Sequence, residues 1–195
     1  MLYGLNSIEY YIISNEPEKA SDYLNRFSRL IRLILQNSKN NIVPLKDDLE
    51  TLQLYIEIES VRFDHQFDYE IKIEEGIDTA TVLIPPMLLQ PYVENAIWHG
   101  LMQKQTPGGT IELKIRRQGA ALICLLEDNG IGRAAAAALK SKSGSSKKSF
   151  GMKITSERLK ALNHLADTRA SVQIFDLTDE EGQASGTRVE LVIPL

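Results

Sequence analysis

The 195-residue sequence predicts an α/β (α+β) two-layer sandwich, a mixed and largely antiparallel sheet covered on one face by helices, preceded by an N-terminal helical hairpin. Three observations carry this reading. Apolar residues recur at helical spacing through residues 5–13 and 19–38, then a polar, proline-containing stretch, Asn37 to Pro44, interrupts them. Beyond it, further helical stripes alternate with short segments of period-two hydrophobicity bounded by glycine and polar residues. Hydrophobic and charged fractions of 43% and 25% are those of an ordinary folded domain, and the length suffices for one good core plus a smaller helical segment. The boundary at Asn37 to Pro44 divides the chain into a helical segment, 1–44, and a globular domain, 45–195.

Within the hairpin the two helices are split by Ser14-Asn15-Glu16-Pro17, where Ser14 or Asn15 suits a cap and Pro17 a first turn. Leu24, Phe27, Ile31 and Ile34 form one stripe, widened by Leu30 and Leu35, which needs a partner such as a second copy or another domain. The row Arg26, Arg29, Arg32 reads as a solvated face. Leu45, Leu49, Leu52 and Ile56 then predict a helix over 46–62, with Asp47 and Asp48 favourably placed near its positive end. Asp68 to Glu74 alternates apolar and charged residues and predicts the first strand.

A helix over 87–100 follows, entered through prolines and ended by Gly100, with Leu88, Leu89, Tyr92, Val93, Ala96 and Ile97 supplying its buried side. Asn95 and His99, four apart, share a face with Pro91, which leaves that face open but removes a backbone hydrogen bond. Thr110 to Arg116 and Ala120 to Leu126 predict a hairpin turning near Gln118-Gly119. Residues 133–140 have strong helix propensity, 141–149 form a Ser/Gly/Lys segment, Gly151 opens a helix to about Ala166, and strands follow at Ser171 to Leu177 and Thr187 to Ile193. Gly186 is expected to close the last hairpin.

Charge and composition exclude some classes. A net charge of −4 gives no overall pull toward nucleic acid or an anionic membrane. No apolar run approaches the roughly 18 residues needed to span a bilayer. Cys124, the single cysteine, sits in an apolar strand and is expected to be a small core residue of a reducing compartment.

Chemistry concentrates in three places. At Glu127-Asp128-Asn129-Gly130-Ile131-Gly132 a run of β-formers stops at a carboxylate followed by a Gly-x-Gly turn. Alone this is ordinary turn chemistry as readily as a ligand site, but Asp128 is an acceptor suited to an exocyclic amine and the glycines permit close backbone approach. Asn95 offers an amide oxygen of the kind Mg²⁺ takes beside phosphate oxygens. Between Asp128 and Glu157 there is no acidic residue, while Arg133, Lys140, Lys142, Lys147, Lys148 and Lys153 accumulate there. That interval reads either as a solvated loop or, with the free N–H groups at Gly151 to Lys153, as a phosphate grip. No Walker A sequence is present.

In that order the three segments resemble the LytS-type sensor histidine kinases, of the wider ATPase group that includes gyrase and MutL. PPMLLQPYVENAIWHG is similar to the family's N box, P-x-x-L-Q-P-L-V-E-N-A-I-x-H-G, over nearly its whole length. DNGIG resembles the G1 box, FGMKITSERL the segment G-I-G-L-x-N-x-x-x-R-L, and SGTRVELVIP the closing G-T-x-V-x-I-x-I-P. The resemblance implies a Bergerat-type ATP-binding fold, with ATP and Mg²⁺ as cofactors. It places Asn95 at Mg²⁺, Asp128 at the adenine amine, Gly130 and Gly132 around the adenine pocket, Thr187 at its base side, and Gly151, Met152, Lys147 and Lys148 at the phosphates. His99 follows as a general base, as a hydrogen-bonding residue near the ligand or as a cap of its helix, and Glu94 as a contact to metal-bound water or as the partner of a basic neighbour.

The implied function is ATP binding by the catalytic region of a two-component sensor histidine kinase, with the γ-phosphoryl passing to a histidine and then to a response regulator. A homodimer and a cytoplasmic location in a membrane-anchored bacterial sensor are implied with it. Two departures stand out. Met1-Leu2-Tyr3-Gly4 occupies the place where the family's P-H-F-x-x-N-x-L-N-S-I motif carries its phosphoacceptor, and His65, His99 and His164 lie elsewhere, so the chain is expected to be a fragment beginning past that histidine. Ser149 stands where the lid motif commonly has glycine. A pseudokinase or dimerisation module, or a related ATPase without a histidine substrate, are the competing readings.

Overall fold

The computed structural model describes residues 8–9, 11–104, 106–142 and 170–195. The expected helix over 151–166 and the expected phosphate residues Lys147, Lys148, Gly151 and Met152 lie outside the described residues. The first long helix, α1, runs Pro17–Ser38, with proline in its first turn where its missing N–H costs nothing. Neither Ser14 nor Asn15 caps it; Glu16 occupies the cap position without a side-chain bond. A short strand β1 (Val43–Pro44) leads into α2 (Leu45–Arg62), whose N-terminal turn carries Asp47 and Asp48.

Helix α1 lies along α2, burying Tyr23 and Leu30, and Asn37 donates to the Thr51 hydroxyl at 3.0 Å. The arginine row on α1 is largely exposed, as expected of a solvated face, and within it Arg26 reaches Glu57 at 3.4 Å and Arg29 reaches Glu50 at 2.5 Å. These partners are on α2, which only the tertiary packing brings within reach.

The sheet contains β2 (Phe67–Ile73), β4 (Gly109–Gln118), β5 (Ala121–Asp128), β7 (Ala184–Pro194) and β6 (Ser171–Thr178), side by side in that order. Only the β2–β4 pair is parallel, so the sheet is mixed and largely antiparallel, as the strand patterns predict. A strand absent from the sequence reading, β3 (Leu83–Ile84), pairs with β1 outside this sheet. Two residues are too few to leave a period-two signature.

The core lies between the central strands and the helices. Leu113, Leu122, Cys124, Leu191 and Ile193 from the sheet, Leu52 and Ile56 from α2, and Leu88, Leu89, Val93 and Ile97 are all essentially inaccessible. Each such aliphatic side chain contributes about 1.5–3 kcal/mol of transfer free energy. Cys124 takes the core position expected of it, and burial pushes its thiol up to about 12.

The segment expected as one helix over 87–100 is a composite. Helix α3 occupies Gln90–Asn95, widens into a π turn over Ala96–Gly100, and tightens into a 3₁₀ turn at Leu101–Gln103. Pro91 lies in the first turn of α3, where its N–H would be unpaired in any case, so the hydrogen bond expected to be lost is not lost. Upstream, Met87 adopts a left-handed φ of 58°, and its N–H donates to the buried Asp48 carboxylate at 2.5 Å. Gly186, expected to close the final hairpin, instead sits inside β7 opposite Leu177, and the hairpin turns through residues 179–183.

Candidate functional site

The apolar run of β5 ends at Asp128, whose Cα pairs with Thr187 on β7 and Ile111 on β4. Asp128 is only 8% exposed. One carboxylate oxygen accepts the Gly130 N–H at 2.9 Å, forming the tight turn that the Asp-Asn-Gly sequence favours. Asn129 completes the turn with its own amide, accepting the Thr110 N–H at 2.8 Å and donating to the Gly108 carbonyl at 2.9 Å. Burial raises the Asp128 carboxyl to about 6, against the opposing pull of backbone N–H groups from Gly130 and Thr187. Among the described residues no cation pairs with this carboxylate, and a buried carboxylate so placed has capacity to accept a further donor.

Glycines let three backbones close around that carboxylate. A Cβ on Gly130 would lie 2.4 Å from the Gly100 Cα, and one on Gly100 would lie 2.9 Å from an Asp128 carboxylate oxygen. A Cβ on Gly186, where φ is +144°, would fall 1.9 Å from the Asp128 carbonyl oxygen. The Gly100 carbonyl also accepts the Ile131 N–H at 3.3 Å. Gly100 and Gly186 are thus site residues that the sequence reading assigned only to a helix end and a hairpin. Each glycine follows a motif residue, His99 or Ser185, but closeness to Asp128 exists only after folding.

Above the carboxylate is a cavity of about 240 Å³. Its apolar walls come from Tyr92 and Ala96, from Ala136 and Ala137 of helix α4 (Gly132–Lys142), and from Ile174 and Val189 of the sheet. Asn95, His99, Asp128, Arg133 and Thr187 supply the polar groups. Of the residues expected at the site, Asn95, His99, Asp128, Gly132 and Thr187 line this one cavity, and Gly130 shapes its floor from beneath. Glu94 faces elsewhere: it accepts the Gln90 amide at 3.0 Å, and burial raises its carboxyl. His65 is remote, in contact with the Ser60 hydroxyl at 3.0 Å.

Arg133, not assigned to the cavity from sequence, grips Asp176 of β6 through two 2.7 Å bonds and ties the start of α4 to the sheet. Both side chains are about half exposed, so the pair aligns the wall more than it stabilises it. Among the described residues no group of three or more His, Cys, Asp or Glu side chains could hold a metal. Asn95 offers one amide oxygen, which suits Mg²⁺ only if phosphate and water complete its shell.

Comparisons with known proteins extend this picture. A family model described as histidine kinase matches residues 1–67. The chain is similar to Sensor protein LytS of Oceanobacillus iheyensis, with 33% identity over 131 residues, 67% of this chain and 22% of that protein. It spans only 19% to 22% of the length of its LytS relatives. In fold it is similar to the Acinetobacter baumannii histidine kinase AdeS, with a TM-score of 0.50 and 14% identity over 95% of this chain and 83% of that one. It also matches the catalytic domain of histidine kinase ThkA, with a TM-score of 0.50 and 13% identity over 78% of this chain and 94% of that one.

Proposed function

The chain is a LytS-type sensor histidine kinase region with the histidine kinase catalytic fold, and from that premise we propose how its cavity works. The cavity takes ATP, adenine first, with the exocyclic amine donating to Asp128. The observation that carries this reading is the buried Asp128 carboxylate at the foot of an apolar slot. The slot matches the two faces of a purine, and the carboxylate matches its one amine edge. Thr187 and His99 border the base and Tyr92 and Ala96 cover it.

Asn95, one turn before His99, faces the same cavity and would hold Mg²⁺ through its amide oxygen. When bound, the cation neutralises phosphate charge during transfer; the chain's own part is to position the nucleotide and keep water from its base. Lys147, Lys148, Gly151 and Met152 are proposed to grip the phosphates, consistent with the positive character of that stretch of sequence. Glu94, turned toward Gln90, contributes by supporting the Asn95 helix.

In this reading the γ-phosphoryl passes to a kinase histidine and then to a response regulator, within a homodimer. No helix among the described residues is long and apolar enough to cross a membrane, and we place the region on the cytoplasmic side of a membrane-anchored sensor. Calorimetric titration with a non-hydrolysable ATP analogue, with and without Mg²⁺, tests the assignment. Binding is expected in both, tighter with Mg²⁺, and Asn95→Ala should remove the Mg²⁺-dependent gain alone. Absence of binding at millimolar analogue would refute the reading.

A further inference from the structure

The π turn Ala96–Gly100 carries His99 and Gly100 on its cavity side, and Trp98 on the side facing α2. A π turn is a strained insertion in a helix and needs outside contacts to persist. The last turns of α2 provide them. The Arg62 guanidinium lies over the Trp98 ring, 4.4 Å from its centroid, and 5.3 Å from the ring of Phe63. Phe63 meets Trp98 edge-on, with centroids 5.2 Å apart and planes at 75°. Glu59, one turn earlier, approaches Arg62 at 3.5 Å, and the two charged side chains are only 15% and 11% exposed. Trp98 also hydrogen-bonds the Tyr55 hydroxyl, so Tyr55 and Arg62 of α2 and Phe63 just beyond its end meet one indole.

None of Tyr55, Glu59, Arg62 and Phe63 lines the cavity. Their reach into it is indirect, through Trp98 to its neighbours. Gly100 bonds the Ile131 N–H and nearly touches Asp128, so the π turn's register decides whether the floor of the cavity closes. An α-helical register would rotate each following residue and carry His99 and Gly100 away from that floor.

We propose that Arg62 is a positioning residue for nucleotide binding: by stacking on Trp98 it holds the π turn that presents His99 and Gly100 to the adenine end of the cavity. This rests on the ATP reading above. The planar guanidinium matters because it stacks and pairs with Glu59 at once, which an ammonium does less well. Since the contact lies at the adenine end, its loss should weaken every adenine nucleotide alike, whatever its phosphate count.

The test uses the 195-residue chain and its Arg62→Ala and Arg62→Lys variants, titrated with ADP and with a non-hydrolysable ATP analogue. Trp98 is the single tryptophan, so its emission reports the stack directly. For Arg62→Ala both affinities should fall by the same factor, about three- to tenfold, less than the roughly thirtyfold worth of a desolvated cation–π contact because Arg62 acts on the cavity only through Trp98. Its Trp98 emission should shift to the red, and Arg62→Lys should fall between it and the wild type in both measurements. A purely structural arginine would lower the melting temperature and leave the affinities of the folded protein unchanged, and that result overturns the proposal. If Arg62→Ala does not fold, wild-type affinities in Arg62→Lys overturn it equally. A wild-type protein that binds neither nucleotide defeats the ATP reading itself, whereas equal binding by wild type and variants defeats the role of Arg62 alone.

Discussion

The two long walls of the cavity are held in opposite ways. On the sheet side, Gly130 approaches the Gly100 backbone and Gly186 approaches the Asp128 backbone too closely for any Cβ, so the wall is made by the absence of side chains. On the helix side, the π turn is held from behind by large side chains, Trp98, Phe63 and Arg62, and its upstream turn by Gln90 and Glu94. A wall of backbone contacts cannot yield by small amounts, because close-packed backbone has no rotamers to give. A wall braced by side chains can loosen by degrees. Damage should therefore be abrupt on one side and graded on the other.

The sharpest break is expected at Gly186. Alanine there would meet the Asp128 carbonyl oxygen and hold a φ of +144° that side chains resist. Gly186→Ala should lose about 3 kcal/mol or more in urea unfolding, combining overpacking with backbone strain. A loss below 1 kcal/mol would show that the sheet wall does yield.

The next effect has the opposite sign. The Asp128 carboxyl stands near 6 instead of 3.8, so between those values the folded chain holds a proton that the unfolded chain has released. Stability must then fall as pH rises from about 4 to 6 and stay level above, the penalty of a buried charge. Asp128→Asn keeps the acceptor for Gly130 and removes the charge. It should be more stable than wild type by roughly 1–3 kcal/mol at pH 7.5 and lose that advantage near pH 4. Unfolding curves at the two pH values check it.

On the braced wall the corresponding effect is smaller. Burial lifts the Glu59 carboxyl to about 6 from 4.5, with Arg62 pulling it down and Glu94 adding repulsion. Glu59→Gln should stabilise by about 1–2 kcal/mol above pH 6 and by nothing near pH 4.5. A destabilised Glu59→Gln protein at pH 7.5 would mean that the ion pair with Arg62 outweighs desolvation.

The same contrast governs what could be read from sequence. Helices and strands announced themselves through periodicity: Leu45, Leu49, Leu52 and Ile56 mark α2, and Asp128 does end a strand beside a glycine turn. Asn95 and His99 do share one cavity, because a spacing of four survives the passage from α3 into the π turn. The π turn itself was illegible, since Ala-Ile-Trp-His-Gly fits an α-helix as well and its register depends on Arg62, thirty-odd residues away in sequence. The pairing of Arg26 and Arg29 with α2, the role of Gly186 and the grip of Arg133 on Asp176 are likewise properties of the packed chain. Each depends on a partner that sequence spacing does not reveal.

Base selectivity tests most directly the proposed reading of a purine amine by Asp128. Guanine presents a carbonyl oxygen where adenine presents its amine, and a carboxylate repels the one as it attracts the other. Competition between ATP and GTP analogues should show a preference for adenine of about tenfold or more in wild type, collapsing in Asp128→Asn. Equal affinity of the wild-type protein for the two bases, or a preference untouched by the substitution, would contradict it.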